Sequence, residues 1–152
     1  MGVITSGTGT IYNRTRAEML MGGFRWADPN KWAAIATPDY VFQDNHLTLM
    51  DVVLANPSAT GMAPVPGPFI SPSGWAGSKP PEFSGEVWTE PVASLILCQY
   101  IGGPQQPDLG DFTKYILIAC LTTFVGGAIY PDGSPFSITY DQSNGQEGWF
   151  RP

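Results

Sequence analysis

Two seven-residue stretches, residues 92–98 (VASLILC) and 115–121 (YILIACL), are apolar throughout except for Ser94 and the tyrosine hydroxyl. A segment with almost no polar position has no wet face, and its length suits a strand rather than a helix. Both are therefore predicted to be central strands of a sheet. Residues 102–112 (GGPQQPDLGDF) join them, a length that suits a hairpin with an elaborated tip or a link between two sheets. Gly and Pro reinforce this reading, because 18 + 15 = 33 of the 152 residues are one or the other. That is nearly twice the usual share of about 12%, so turns must be frequent and long helices rare.

The remaining elements follow from shorter patterns. Residues 11–21 place Tyr12, Met19 and Leu20 near helical spacing, with Gly22-Gly23 as a stop, and predict one short amphipathic helix. Residues 32–36, within KWAAIATP, are apolar on both faces and closed by Pro38, as in a buried strand that residues 40–42 would continue. Asp44 or Asn45 could cap a helical turn carrying Leu47, Met50 and Val53 toward the core. Residues 135–140 alternate Phe136, Ile138 and Tyr140 with Ser137 and Thr139, the period of a strand with one wet face. The terminal GWFRP is a candidate edge strand. Two segments carry no period at all. Residues 1–10 (MGVITSGTGT) lack the apolar content to hold themselves on a core and read as a flexible arm. Residues 56–85 are rich in Pro, Gly and Ser, punctuated by Phe69, Trp75 and Phe83, and read as a long excursion of the kind that usually serves a function.

Charge and chemistry narrow the function classes. Seven Lys and Arg against thirteen Asp and Glu give a net charge of −6, whereas nucleic-acid binding calls for a clustered basic face. No nucleic-acid partner is expected. The longest uncharged apolar run has seven residues, against about 20 needed to cross a bilayer, so no membrane span is expected either. Residues 1–10 have no basic start or apolar stretch of leader length, which points to synthesis in a cytosol. Cys98 and Cys120 both lie in the apolar runs and are expected to be inert core thiols.

The single histidine, His46, stands in the frame DNHLTLMD. Asp44 and Asp51 beside it could orient it as a base, but a catalytic zinc site wants three protein ligands at set spacings. HExxH, GxSxG, CxxC and GxxxxGK[ST] are all absent from the sequence, and the carboxylates fall mainly in turns. No catalytic, cofactor or metal residue is assigned, and no enzyme activity is expected. Of the five tryptophans, Trp32 and Trp88 sit in strand-like frames and are expected in the core, whereas Trp75, with Phe69 beside it, is the better candidate for an interface.

Five blocks, in order, resemble the pattern of small structural proteins of tailed bacteriophages. They are YNRTRAEMLMGG with FRWADPNKWAAIA; PDYVFQDNHLTLMDV, in which Tyr40, Phe42, His46 and Asp51 stand at matching places; EVWTEPVASLILCQY; YILIACL; and GSPFSITYDQSNGQEGWF. The resemblance covers residues 11–150. It departs in the middle, where GMAPVPGPFISPSGWAGSKPPEF replaces a Gly-Tyr-rich strand leading into another. It implies a virion component needing no catalytic residues.

The expected fold is all-β, a β-sandwich or jelly-roll-like domain with one short N-terminal helix; α+β is the alternative. One domain over residues 11–152 follows the arm. The expected role is a capsid decoration or cement protein on the outer capsid surface, made in the host bacterial cytoplasm. A neck or tail accessory protein and a carbohydrate-binding module are the alternatives. Its partners would be the major capsid protein or other virion proteins and further copies of itself, as in a trimer. The candidate contact residues are Ile4 and Thr8 in the arm and Phe69, Trp75 and Phe83 in the excursion.

Overall fold

The computed structural model describes residues 10–56, 60–102, 111–142 and 145–151, and the backbone of residues 2–5. Its centre is a five-stranded antiparallel sheet built on the two apolar runs. β8 (Ser94–Tyr100) pairs with β9 (Tyr115–Leu121) on one side and β3 (Lys31–Ala36) on the other. β2 (Thr10–Ile11) and β4 (Gly61–Pro64) complete the order β2-β9-β8-β3-β4. The β8–β9 register steps from Leu97↔Ala119 to Cys98↔Leu117, which leaves Ile118 without an opposite residue. This bulge bends β9, and its free carbonyls meet the N-terminal helix α1 (Asn13–Leu20) and its approach. Tyr12 N donates to Ile118 O at 3.0 Å, and Thr15 Oγ1 to Leu117 O at 2.8 Å.

The central sheet is covered on both faces, which is why its two middle strands tolerate almost no polar side chain. One face presents Ala33, Ile35, Leu95, Leu97, Ala119 and Leu121 to a second, four-stranded sheet. That sheet consists of β1 (Gly2–Thr5), β7 (Glu82–Phe83), β10 (Thr123–Val125) and β11 (Phe136–Tyr140), in the order β10-β1-β11-β7. Phe83, Ile138 and Tyr140 from it, with Trp26, Trp149 and Phe150, fill the shared core. The opposite face presents Ala34, Ile96, Cys98, Leu117 and Cys120 to Tyr12, Tyr40 and the second helix, α2 (Leu49–Ala55). Each large apolar side chain so enclosed contributes about 1.5–3 kcal/mol. The fold is thus β-rich, two sheets sharing a core, with two short helices rather than one.

Several expectations change. Tyr40 does not continue β3, because its N–H turns back to Thr37 O at 3.2 Å after Pro38. α2 is capped by Thr48, not Asp44 or Asn45, and the Asp51 carboxylate accepts from the Leu47 and Thr48 amides at 2.8 and 3.2 Å. That later start turns Leu49 and Val52 into the core and leaves Leu47 exposed. The excursion over 56–85 is also more ordered than its composition suggests. It contributes β4, β7 and a small separate pair, β5 (Phe69–Ile70) with β6 (Ala76–Gly77). Phe83, expected at an interface, is a core residue stacked on Phe136 with ring centroids 5.6 Å apart. Finally, residues 2–5 of the expected arm form a strand, parallel to β11 and antiparallel to β10. Among the described residues, the GWFRP segment makes one bridge, Ala76↔Phe150, and no edge strand.

Candidate interaction surface

The β5–β6 hairpin is the most exposed apolar feature of the former excursion. Phe69 faces Gly77 and Ile70 faces Ala76 across the pair. Ser71 closes the turn, since its N–H donates to Trp75 O at 2.9 Å while its Oγ accepts from Trp75 N at 3.0 Å. Gly74 supplies the left-handed residue the turn requires, at φ 86°. Phe69 lies over Gly77 so closely that a Cβ there would stand 2.6 Å from its ring. This leaves Phe69 41% and Ile70 54% exposed, side by side on the outer strand.

The C-terminal segment clamps the hairpin to the body. Ala76 N donates to Phe150 O at 2.8 Å, and Trp149 N to Ala76 O at 2.7 Å. Two indoles add side-chain bonds: Trp149 Nε1 to Ser78 Oγ at 2.9 Å and Trp26 Nε1 to Gly77 O at 2.8 Å. Arg151 places its guanidinium 5.0 Å from the Trp75 ring centre, within cation–π reach. Trp75 is consequently half-buried and carries a charged cover on one face.

Two clefts flank the hairpin, and Ile70 lines both. The larger, about 620 Å³, runs past Trp26, Ala76 and Phe150 to Phe24, Arg25 and Asp28. The smaller, about 400 Å³, lies between Phe69, Pro72, Tyr140 and Glu147. An exposed apolar ridge between two grooves suits an interlocking protein surface.

Lys31 fixes the far wall of the larger cleft. The residue is buried, and its ammonium donates to Arg25 O at 2.7 Å, Asn30 Oδ1 at 2.8 Å and Asp28 O at 3.3 Å. Phe24 and Trp26 lie 5.7 and 6.0 Å from it. Burial lowers its pKa from the usual 10.5 to about 8, against the opposing pull of Asp28. Between these values the unfolded chain binds more protons, so this group's contribution to stability rises with pH from about 8 to 10.5 and is flat below. Urea denaturation of wild type and Lys31→Met across that range should show their stability difference shifting in favour of wild type by roughly 1–2 kcal/mol, after allowance for screening. A difference independent of pH would contradict this account.

The other sequence candidates are dispersed. Ile4 belongs to β1, away from the hairpin pair in the chain's sheet order, and Thr8 lies outside the described residues. His46 accepts from or donates to Tyr40 Oη at 3.0 Å, and Tyr40 meets Tyr12 Oη at 2.7 Å. Asp51, once a possible partner for His46, is occupied as the α2 cap. Burial pushes Tyr12 well above the ordinary phenol range and Tyr40 up to about 12. Cys98 and Cys120 are free and buried, with burial raising Cys98 strongly and Cys120 to about 11. Trp32 and Trp88 are partly buried and packed against the two core clusters.

Sequence reasoning singled out Phe69 and Trp75 but missed Ile70, Lys31 and the clamping role of Trp149. A lysine opening an otherwise buried strand, KWAAIA, was the available signal for Lys31. Its acceptors include two backbone carbonyls, which no residue type discloses. No family model, no curated protein and no solved structure matches this chain.

Proposed function

We propose that the chain is a structural protein of a tailed-bacteriophage virion, a decoration or cement protein on the outer capsid surface. It would act by adhesion and needs no catalytic residue. The observation that carries the contact mode is the exposed Phe69–Ile70 ridge between two clefts; the phage assignment rests on the five ordered sequence blocks. The net charge of −6 suits the outside of a shell better than a face against packaged DNA, where like charges repel. Major capsid protein is the proposed partner, and a symmetric oligomer such as a trimer would multiply weak contacts into avidity.

Quantitative mass spectrometry of purified virions, with imaging of intact particles, tests the assignment. Hundreds of copies over the shell support decoration. A dozen or fewer at one vertex would move the protein to the neck or tail, and absence from particles would overturn the virion reading. Within that reading, Phe69→Ala and Ile70→Ala should lower capsid occupancy several-fold. Their cost in folding stability should stay near 0.5 kcal/mol, as for exposed positions generally. Full occupancy with both replaced would remove the hairpin from the interface.

A further inference from the structure

We propose that the larger cleft seats an acidic, apolar segment of a partner protein, with an apolar side chain filling the cleft and an adjoining Asp or Glu carboxylate paired with Arg25. That a protein partner exists rests on the adhesion reading above. What kind of segment it offers follows from the cleft itself.

The cleft has a fixed shape, fastened from three parts of the chain. Trp26 and Phe150 in its lining are almost fully buried and pack edge-on, with ring centroids 5.5 Å apart. Trp26 Nε1 is tied to Gly77 O at 2.8 Å, and Phe150 O takes the Ala76 amide at 2.8 Å. The far wall is held from behind, where the Lys31 ammonium grips Arg25 O and Asp28 O. A site already shaped in the free protein loses little conformational freedom on binding. Its volume of about 620 Å³ lies within the range of roughly 300–1,000 Å³ that receives a compact apolar group. Ile70 belongs to both the exposed ridge and this lining, so a segment seated in the cleft also meets the ridge.

Charge selects the occupant. The lining carries one guanidinium, Arg25, and one carboxylate, Asp28. Asp28 is already answered, because its charge lies close enough to the Lys31 ammonium to favour that group's protonated form. The Arg25 guanidinium makes no hydrogen bond or ion pair among the described residues; Arg25 is engaged only through its carbonyl, by Lys31. A second guanidinium, that of Arg151, lies beyond Gly74 on the Trp75 ring. The cleft is thus locally positive in a chain whose net charge is −6. A guanidinium left open beside apolar surface is suited to grip a carboxylate with two parallel hydrogen bonds. A basic segment would meet like charge there, and a neutral one would cover Arg25 without pairing it.

Capped peptides test this on the full chain without any virion. Isotope-labelled protein is titrated with the acetylated, amidated peptide LFEL, with its counterparts LFQL and LFKL, and with hydrocinnamate, while the Trp26 Nε1–H and Ile70 methyl resonances are followed. LFEL should move both signals and bind roughly three- to fivefold more tightly than LFQL, the worth of an exposed ion pair, with LFKL weaker still. Arg25→Gln should abolish the preference for LFEL over LFQL, and Arg25→Glu should turn it toward LFKL. Both variants should keep the wild-type melting temperature, since the side chain is exposed. Peptides that leave both signals unmoved would overturn the proposal, as would equal affinity for LFEL and LFQL or a preference that survives Arg25→Gln. Hydrocinnamate binding as tightly as LFEL would overturn the protein segment in favour of a small-molecule site. Absence of the protein from virions would refute the capsid assignment and leave these readouts unchanged.

Discussion

Trp149→Ala will cost about 3–5 kcal/mol of folding stability, the range for emptying a fully buried indole site. At roughly 2–4 °C per kcal/mol for a chain of this size, the melting temperature should fall by about 6–20 °C. Trp149 is fully buried, meets Tyr140 edge-on with ring centroids 5.1 Å apart, and bonds Ser78 through Nε1. It thus joins the hairpin side of the molecule to the second sheet. The local consequence is as telling as the global one. The Ala76 amide, now bound to Phe150 O, should exchange with solvent much faster in the variant, because the residue anchoring its acceptor is gone. Trp149→Phe should cost less, since it keeps most of the volume and loses the Nε1–H. A loss under about 1 kcal/mol for the alanine variant would show that Trp149 does not hold this region together.

Gly148→Ala should cost about 2–3 kcal/mol of folding stability. A Cβ at position 148 would stand 2.3 Å from Ala76 O and 2.6 Å from its carbonyl carbon, both backbone atoms. The C-terminal segment would have to lift off β6, straining the Trp149 N to Ala76 O bond of 2.7 Å. Overpacking of this kind ordinarily costs about 1–3 kcal/mol, and the strained hydrogen bond places this case at the upper end. Gly23→Ala is the control, because its Cβ would meet only Glu18 O, at 3.8 Å. Paired chemical denaturation of the two variants provides the measurement. Equal effects would mean that close approach at Gly148 is not what makes that position matter.

The hairpin illustrates how far the candidate surface was readable in advance. Phe69 and Trp75 stood out as aromatics in a segment rich in Pro and Gly, and Phe69 is indeed exposed. Phe83 carried the same signal and is core, because β7 pairs with β11 and turns its ring onto Phe136. An aromatic in an aperiodic segment indicates that something covers it; whether the cover is the chain itself is decided by pairing tens of residues away. Ile70 had no distinguishing local context, yet its position lines both clefts.

Residues 94–100 and 115–121 were legible as strands because a central strand buried on both faces demands apolar side chains at nearly every position, a requirement written locally. β11 was legible for the related reason that its alternation reports one wet face. The short strands β4, β5, β6 and β7 have two to four residues each, too few to establish a period. Their conformation is imposed by partners that the fold delivers: β3 for β4, β11 for β7, and Phe150 for β6. The same holds for Gly2–Thr5. A short segment followed by Ser-Gly-Thr-Gly reads as a free arm until the tertiary structure supplies a strand on either side, each with backbone groups that need a partner.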